Sequence, residues 1–347
     1  MLSAAITNEF TGFTIADGLR RFCGEALDLW LARGETPSEL VLDQPGVRLR
    51  YYGEDGNHPR LLIVPAPIKK PYIWDLTPEV SVVLRCLQAS FRVYGLEWSH
   101  APKDREAGIV FYADRLIREC VKTVGEPVIL AGHSLGGTFA AIFASLHPES
   151  VRALLLLEAP LSFAGDTGAI AALIRIVPST NTLRQASFYP GTLLNALSLT
   201  ASPESFLWWR YHDRLASAWD PVALRTHLLV ERWTLDEYAM PSDLFADVIE
   251  LYRKNSFMRG TLDVAGKMAA ARNVTAPVLA VVDPESDVVP PSSVVPFLDV
   301  LPHHDWTLLH YEGDTGVALR HVGVLVGRNA HRLLWPEILD WIRSSAR

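Results

Sequence analysis

The feature of this sequence that most restricts its fold is the pentapeptide Gly-His-Ser-Leu-Gly at residues 132–136. The four apolar residues at 128–131 are typical of a short buried strand, and the apolar stretch at 138–146 favours a helix. A strand, a glycine-rich turn and a helix in this order predict a nucleophile elbow, in which a strained turn lifts a hydroxyl above the sheet. The two glycines leave room for the backbone to be approached closely from both sides. The pattern therefore predicts that Ser134 is a nucleophile.

Strands and helices alternate around this turn. The alternation over residues 61–158 predicts a parallel sheet joined by right-handed crossovers. It gives way near residue 160 to a mostly helical pattern and resumes with predicted strands at 277–282 and 306–311. We therefore predict an α/β fold with a mostly parallel sheet flanked by helices and a helical cap inserted before the last two strands. The predicted segments are an N-terminal helical segment at 1–45, a core at 46–160 and 266–347, and a cap (lid) at 161–265.

The size and composition of the chain are consistent with this fold. Its 347 residues allow one large α/β domain with an insertion, or two domains. Hydrophobic residues make up 49% of the chain, which is enough for a substantial core. The net charge is −7 and there is no long basic run, so we expect no nucleic-acid partner.

Three further observations concern the cellular compartment. No apolar run reaches the length of a membrane span, and the first ten residues lack the basic start and apolar stretch of a signal peptide. The three cysteines, Cys23, Cys86 and Cys120, are widely spaced and odd in number. That spacing fits neither a disulfide framework nor a metal site. We therefore predict a cytoplasmic protein with no transmembrane segment, no metal and no cofactor.

A serine hydroxyl reacts well only when a base takes its proton and an acid orients that base. When the serine lies on an elbow of this kind, the acid and then the histidine follow it in the chain. Asp283 and Asp287 both follow the predicted strand at 277–282, and Asp287 lies further into the loop, better placed to reach across. His321 follows the last predicted strand, in a predicted loop before the C-terminal helix. We therefore predict the triad Ser134, Asp287 and His321, with Asp283 structural.

The negative charge that develops in acyl transfer needs two backbone N–H donors. Leu135, next to the nucleophile, offers one. The second is expected from the loop at 64–68, whose two prolines have no N–H, which leaves Ala66 or Ile68. Neighbouring residues in an elbow point apart, so we expect His133 to shape the turn and not to catalyse.

Several blocks of the sequence resemble the polyhydroxyalkanoate synthases, especially the short class III catalytic subunits. The matching blocks lie at residues 68–76, 93–98, 132–139, 231–233, 287–291, 321–327 and 334–336. Their order and spacing agree with the family over roughly residues 45–345, the cap included. The resemblance implies an α/β-hydrolase fold that transfers acyl groups from hydroxyacyl-CoA to a growing polyester. It also implies the triad named above and Ile68 as the second oxyanion donor.

The sequence departs from that family at two positions. The family's nucleophile is usually cysteine, where this chain has Ser134, and its aspartate is commonly followed by histidine, where this chain has Val288. A thiolate favours thioester exchange, whereas serine acyl-enzymes of this fold are usually released to water or to another hydroxyl. We therefore predict a serine hydrolase, esterase or acyltransferase acting on hydroxyacyl esters or thioesters, including acyl-CoA.

Two alternative functions stay open. The first is a polyhydroxyalkanoate synthase that polymerises hydroxyacyl-CoA with serine as nucleophile. The second is a non-catalytic homologue that binds a partner or a polyester granule, which the amphipathic pattern at residues 15–33 favours and the complete triad argues against. A homodimer or an accessory subunit is a further expectation from the resemblance.

The predicted cap is rich in aromatic residues. Trp208, Trp209 and Trp233 lie in the stretch that would cover the carboxyl ends of the strands, where open α/β sheets bind ligands. We predict that these three side chains contact the acyl chain of the substrate. The alternative is that they form the apolar core of the cap itself.

Overall fold

The computed structural model describes residues 10–53, 56–99, 107–165 and 167–345, so the first nine residues of the predicted N-terminal segment lie outside the described part. In chain order, the strands are β1 (Ser38–Gln44), β2 (Val47–Tyr52), β3 (Arg60–Val64), β4 (Arg92–Trp98), β5 (Val128–His133), β6 (Val151–Leu157), β7 (Phe188–Tyr189), β8 (Met240–Pro241), β9 (Leu262–Val264), β10 (Lys267–Ala269), β11 (Val278–Val282) and β12 (Trp306–His310). Eight of them form one sheet in the order β1-β2-β4-β3-β5-β6-β11-β12. The sheet is parallel from β4 to β12, and β2 is antiparallel to both of its neighbours.

Helices flank this sheet and fill the insertion between β6 and β11. They are α1 (Thr11–Asp28), α2 (Val82–Gln88), α3 (Ile117–Val124), α4 (Leu135–Leu146), α5 (Ala169–Ile174), α6 (Thr180–Leu183), α7 (Gly191–Ala201), α8 (Trp209–Ser217), α9 (Pro221–Thr234), α10 (Ser242–Lys254), α11 (Ser256–Arg259), α12 (Val295–Asp299), α13 (Arg320–Val326) and α14 (Trp335–Ser345). Wider π-helical turns at Val110–Leu116, Glu204–Trp208 and Ala330–Leu334 lead into α3, α8 and α14. No helix among the described residues is long and apolar enough to cross a membrane.

The central strands are apolar along their length because helices cover both faces of the sheet. Every residue of β5 and β11 is buried. Successive β5 side chains enter opposite halves of the core, with Leu130 in one cluster and Ile129 and Ala131 in the other. The predicted mostly parallel sheet flanked by helices is therefore confirmed.

The N-terminal segment differs from the predicted one. Residues Ser38–Gln44, predicted within a helical segment, form the edge strand β1 and pair with β2. Most β1 side chains are exposed or half-buried, so the segment lacks the alternating apolar pattern that reveals a strand in a sequence. Only its hydrogen-bonded pairing with β2 identifies this segment as a strand.

Helix α1 contacts the cap through polar side chains. Asp17 accepts hydrogen bonds from the backbone N–H groups of Gly191 and Thr192 at the start of α7, at 3.1 and 2.7 Å. Arg232 of α9 donates to both carboxylate oxygens of Asp28 at 2.9 and 2.7 Å. The exposed large apolar side chains on or just after α1 are Ile15, Leu19, Phe22, Leu27, Leu29 and Trp30. The amphipathic pattern at residues 15–33 therefore lies largely on a helix that packs on the protein through polar side chains, with its apolar face outward.

Candidate active site

The turn between β5 and α4 has the backbone of a nucleophile elbow. Ser134 has φ 54° and ψ −135°, an uncommon conformation for a residue with a side chain. A Cβ on Gly132 would lie 2.4 Å from Gly137 Cα, and one on Gly136 would lie 2.2 Å from the Val64 carbonyl oxygen. These distances are too short for any side chain, so the two glycines allow the turn between β5 and α4 to pack closely against the end of β3.

The same close approach brings the two predicted oxyanion donors to one cavity. Leu135 is the first residue of α4, and Ile68 ends the loop that follows β3. Neither backbone N–H has a backbone acceptor among the described residues. The Trp98 indole stabilises this loop by donating a hydrogen bond to the Pro65 carbonyl oxygen at 2.8 Å. Both residues line the cavity next to Ser134, and their role as N–H donors stays a prediction.

His321 lies in the first turn of α13, where the sequence predicted a loop, and it lines the same cavity as Ser134. Its Nδ1 is 3.4 Å from Oε2 of Glu158. Its backbone oxygen is 2.7 Å from Nε2 of His133, and the two imidazole rings lie 4.6 Å apart. Burial lowers the pKa of His321 to about 4, so its imidazole is a neutral proton acceptor at pH 7. His133 thus contacts His321 as well as lying in the turn, a contact that the sequence did not reveal.

The two aspartates of the loop after β11 are both engaged elsewhere. Asp287 accepts short hydrogen bonds from the hydroxyl groups of Ser202 and Ser205 in the cap. No hydrogen bond between Asp287 and His321 is present among the described residues, so the assignment of Asp287 as the triad acid stays a prediction. Asp283 is fully buried and forms a two-point ion pair with Arg320, at 2.7 and 2.8 Å.

Glu158 lies next to His321, and the sequence analysis did not single it out. It follows β6 directly, its side chain is fully buried, and its φ is 47°. The available signal was a carboxylate at the carboxyl end of an otherwise apolar strand, on the sheet edge where ligands bind.

Above Ser134 and His321 lies a cavity of about 240 Å³ between the core and the cap. Its cap wall is apolar and includes Ile170, Leu173, Leu194, Met240, Phe245 and Ile249. Its other end is polar, where Lys69 pairs with Glu237 and donates to the Thr234 carbonyl oxygen at 3.0 Å. The cavity therefore suits a molecule with one apolar and one polar end.

The structure places only one of the three predicted tryptophans against this cavity. Trp233 lines it and donates its indole N–H to the Lys70 carbonyl oxygen at 2.8 Å. Trp208 is 53% exposed, and the Arg320 guanidinium lies 5.1 Å from the centre of the Trp209 ring. Neither of these two is among the residues that line the cavity; Phe206 from the same stretch is. Helical residues point in directions about 100° apart, so only part of the stretch can face inward.

No group of three or more His, Cys, Asp or Glu side chains that could hold a metal ion occurs in the part of the chain that the structure describes.

Comparison with known proteins agrees with this architecture. Residues 84–211 match the family model of the alpha/beta hydrolase fold. Together with the eight-stranded sheet and the elbow, this match defines the protein as one of the α/β-hydrolase fold.

The particular group within that fold follows from longer matches. The chain is 29% identical over 321 residues to the poly(3-hydroxyalkanoate) polymerase subunit PhaC of Haloferax mediterranei, which covers 89% of this chain and 64% of that protein. It is 26% identical over 330 residues to the PhaC subunit of Allochromatium vinosum, covering 92% of this chain and 90% of that protein. The chain is therefore an α/β-hydrolase acyl-transfer enzyme homologous over most of its length to PhaC subunits, which confirms the resemblance inferred from its motifs.

Solved structures show the same fold at lower identity. The monoacylglycerol lipase of Paleococcus ferrophilus superposes with a TM-score of 0.52 at 16% identity, covering 86% of this chain and 99% of that chain. The enol-lactonase of Burkholderia xenovorans superposes with a TM-score of 0.53 at 14% identity, covering 89% and 99%. These likenesses concern the fold alone.

Proposed function

We propose that this chain transfers hydroxyacyl groups from a hydroxyacyl-CoA thioester to the hydroxyl end of a growing polyester, with Ser134 as nucleophile. The observation that carries the proposal is the strained Ser134 elbow beneath an apolar, cap-covered cavity, in a chain homologous to polymerase subunits over core and cap alike. The comparisons favour this alternative over the hydrolase that we predicted first. The homodimer or accessory subunit expected from the resemblance belongs to the same proposal.

In the first half of the proposed reaction, the Ser134 oxygen attacks the thioester carbonyl carbon while its proton passes to Nε2 of His321. The N–H groups of Leu135 and Ile68 stabilise the resulting oxyanion. The C–S bond then breaks, and the departing thiolate takes the proton from Nε2 to leave as the free CoA thiol. The acyl group remains as an ester on Ser134.

In the second half, the hydroxyl group of the acceptor chain gives its proton to Nε2 and attacks the Ser134 ester. The C–O bond to Ser134 breaks, and the proton returns to the serine oxygen. The polyester is one unit longer, and no oxidant or metal is needed. The apolar cap wall supports this step because it limits the access of water to the ester.

Hydrolysis is the second candidate, and the presence of serine is the specific observation that favours it. An oxygen ester is less activated than a thioester towards the next hydroxyl group, so elongation loses driving force relative to an enzyme with cysteine. Water that enters when the cap opens then competes for the same intermediate. The two candidates share every residue and differ only in the acceptor.

One assay separates the two functions. The purified protein is given a 3-hydroxyacyl-CoA, and free CoA, free hydroxy acid and polymer are measured together, with Ser134→Ala as the control. The proposal predicts CoA release matched by polymer. CoA release matched by free acid assigns the hydrolase instead, and the absence of serine-dependent CoA release contradicts both.

A further inference from the structure

We propose that Glu158, and not Asp287, is the positioning carboxylate of His321, and that Asp287 instead docks the cap. The inference rests on the proposed function, since it requires His321 to act as the base for Ser134. Glu158 Oε2 lies 3.4 Å from His321 Nδ1, and the two residues stand 163 positions apart in the chain. Catalytic hydrogen bonds are often this long before substrate binds.

The Glu158 side chain is fully buried and its Oε1 has no hydrogen-bond partner among the described residues, although the Asp283 backbone N–H and the Ser286 hydroxyl lie close to the carboxyl. Its only ion-pair partner in the described part of the chain is His321. A buried carboxyl without a cation is costly, and an apolar residue at the end of β6 would avoid that cost. Asp283 close by does have such a partner, the Arg320 guanidinium.

The backbone at Glu158 is also strained. Its φ of 47° lies in the left-handed region, which residues with side chains rarely adopt. Strain of this kind persists where surrounding contacts impose it, and here the Glu158 N–H donates to the Val281 carbonyl oxygen at 2.9 Å. The turn directs the carboxylate across the ends of the strands to His321.

Asp287 is attached to the cap by both its side chain and its backbone. The hydroxyl groups of Ser202 and Ser205 donate to its carboxylate. Its carbonyl oxygen accepts a hydrogen bond from the Ala169 N–H at the start of α5, at 2.8 Å. These three contacts attach Asp287 to two segments of the cap. The two serine hydroxyls occupy the carboxylate that the triad would need.

The arrangement assigns the protons on His321. With Nδ1–H donating to Glu158, Nε2 is the nitrogen left to take the proton of Ser134. The imidazolium that forms is then paired with the carboxylate, which stabilises the charge only while the reaction proceeds.

The pair also makes a prediction about pH. Burial raises the pKa of Glu158 well above its usual range and lowers that of His321, so Glu158 must lose its proton before it can accept the His321 Nδ1–H and leave Nε2 as the base. The other charged or titratable groups that face the pair are Asp283 with its partner Arg320, Asp287 and His133. In Glu158→Gln the acid limb of the residual activity should move to lower pH, because only His321 then titrates.

A fluorophosphonate probe that labels Ser134 tests the inference without reference to the natural substrate. We expect Glu158→Gln to slow the labelling by about 10²–10⁴-fold, as expected when an acid that orients an imidazole is lost. Glu158→Asp should recover part of the rate, and Asp287→Asn should stay within about tenfold of the wild type while loosening the cap. The reverse order for the Gln and Asn variants overturns the inference and assigns Asp287 as the acid.

A buried carboxylate–histidine pair elsewhere in the fold serves as the matched control. Asp114 Oδ1 is 2.7 Å from His147 Nε2, at the end of α4 that lies about 18 Å from Ser134. Asp114→Asn should lower the melting temperature without slowing the labelling. A wild type that is not labelled at Ser134 contradicts the proposed function instead of this inference.

A spectroscopic measurement does not depend on how well the variants react. A histidine N–H that donates to a buried carboxylate gives a strongly downfield proton resonance. Of the downfield resonances of the wild type, one should be retained in Asp287→Asn and lost in both Glu158→Gln and His321→Ala. Those of the buried Asp114–His147 and Asp213–His227 pairs should remain in all four proteins. A resonance lost in Asp287→Asn but retained in Glu158→Gln overturns the inference.

Discussion

The core and the cap of this enzyme both contain buried apolar packing, but the cap adds ionic contacts to its surroundings. In the core, every residue of β5 and β11 is buried among apolar side chains. The cap and α1 are joined to their surroundings by ionic contacts, among them Arg232 with Asp28 and Lys69 with Glu237. Asp213 of α8 likewise accepts hydrogen bonds from the N–H groups of Gly316 and Ala318, each at 2.8 Å, just before α13.

This difference in contacts predicts a rigid core and a more mobile cap. Close apolar packing leaves the elbow a single geometry, which is what a reacting serine needs. Cap residues such as Leu194, Leu244 and Ile249 belong to the same apolar cluster as β5, so opening of the cap would expose apolar area. The polar contacts can be exchanged for water at moderate net cost, so we expect the cap to open first where they dock it. We therefore expect core variants to change the chemistry and cap variants to change access.

The largest expected effect comes from the core nucleophile. Ser134→Ala should lower turnover by about 10⁴–10⁶-fold, because the attacking oxygen is lost while the oxyanion site and substrate binding remain. Turnover of a hydroxyacyl thioester is the measurement. Ser145→Ala, in the same helix, removes only a hydroxyl that donates to the Ile142 carbonyl oxygen, and it should keep its activity. Equal losses in both variants would contradict the assignment.

A smaller effect is expected where the core closes around the elbow. Gly136→Ala should cost at least about 10²-fold in kcat, because the new methyl group would meet the Val64 carbonyl oxygen and displace the loop of Ile68. The free energy of unfolding should also fall by about 2–4 kcal/mol, measured by denaturant titration. Gly18→Ala is the control, since a methyl group there meets nothing within 4 Å. It should raise stability slightly and leave kcat unchanged.

The attachment of α1 to the cap should affect stability more than chemistry. Arg232→Met breaks the ion pairs to Asp28 and Asp236 and should lower the free energy of unfolding by about 2–3 kcal/mol. Limited proteolysis should then cut sooner near α1, while kcat changes little. Arg343→Met, which removes an exposed pair with Asp340, should change stability by less than about 0.5 kcal/mol. An unchanged cutting rate in Arg232→Met would show that α1 is held by other contacts.

The smallest expected effect concerns the docking of the cap on Asp287. Removing both serine hydroxyls, in a Ser202→Ala/Ser205→Ala variant, should speed proteolytic cutting within residues 161–265 by about tenfold, since two hydrogen bonds to a carboxylate are lost. A covalent inhibitor on Ser134 should slow the cutting in wild type and variant alike. Cutting elsewhere, unaffected by the inhibitor, would contradict a gating cap.

The sheet and the elbow could be predicted because their signals are local. Apolar strand runs, helix periodicity and two glycines around a serine lie within short stretches, and each stretch restricts its own backbone. The edge strand β1 was missed because its exposed residues carry no such pattern. The prediction that Trp208 and Trp209 contact the substrate rested on the aromatic composition of the cap. Composition does not reveal which side of a helix faces inward.

The sequence by itself therefore determined the fold class and the position of the elbow that carries Ser134, while the roles of Ser134 as nucleophile and His321 as base stay predictions. The tertiary structure decided which carboxylate reaches His321, which residues hold Asp287 and which way α1 faces. Glu158 follows β6 and His321 lies in the helix after β12, and these two strands flank β11 in the sheet, so the two residues meet only through the strand order. The cap serines reach Asp287 only once the insertion has folded back. Such contacts depend on the directions of side chains from distant segments, and these directions are set by packing and burial, which no local pattern of residues contains.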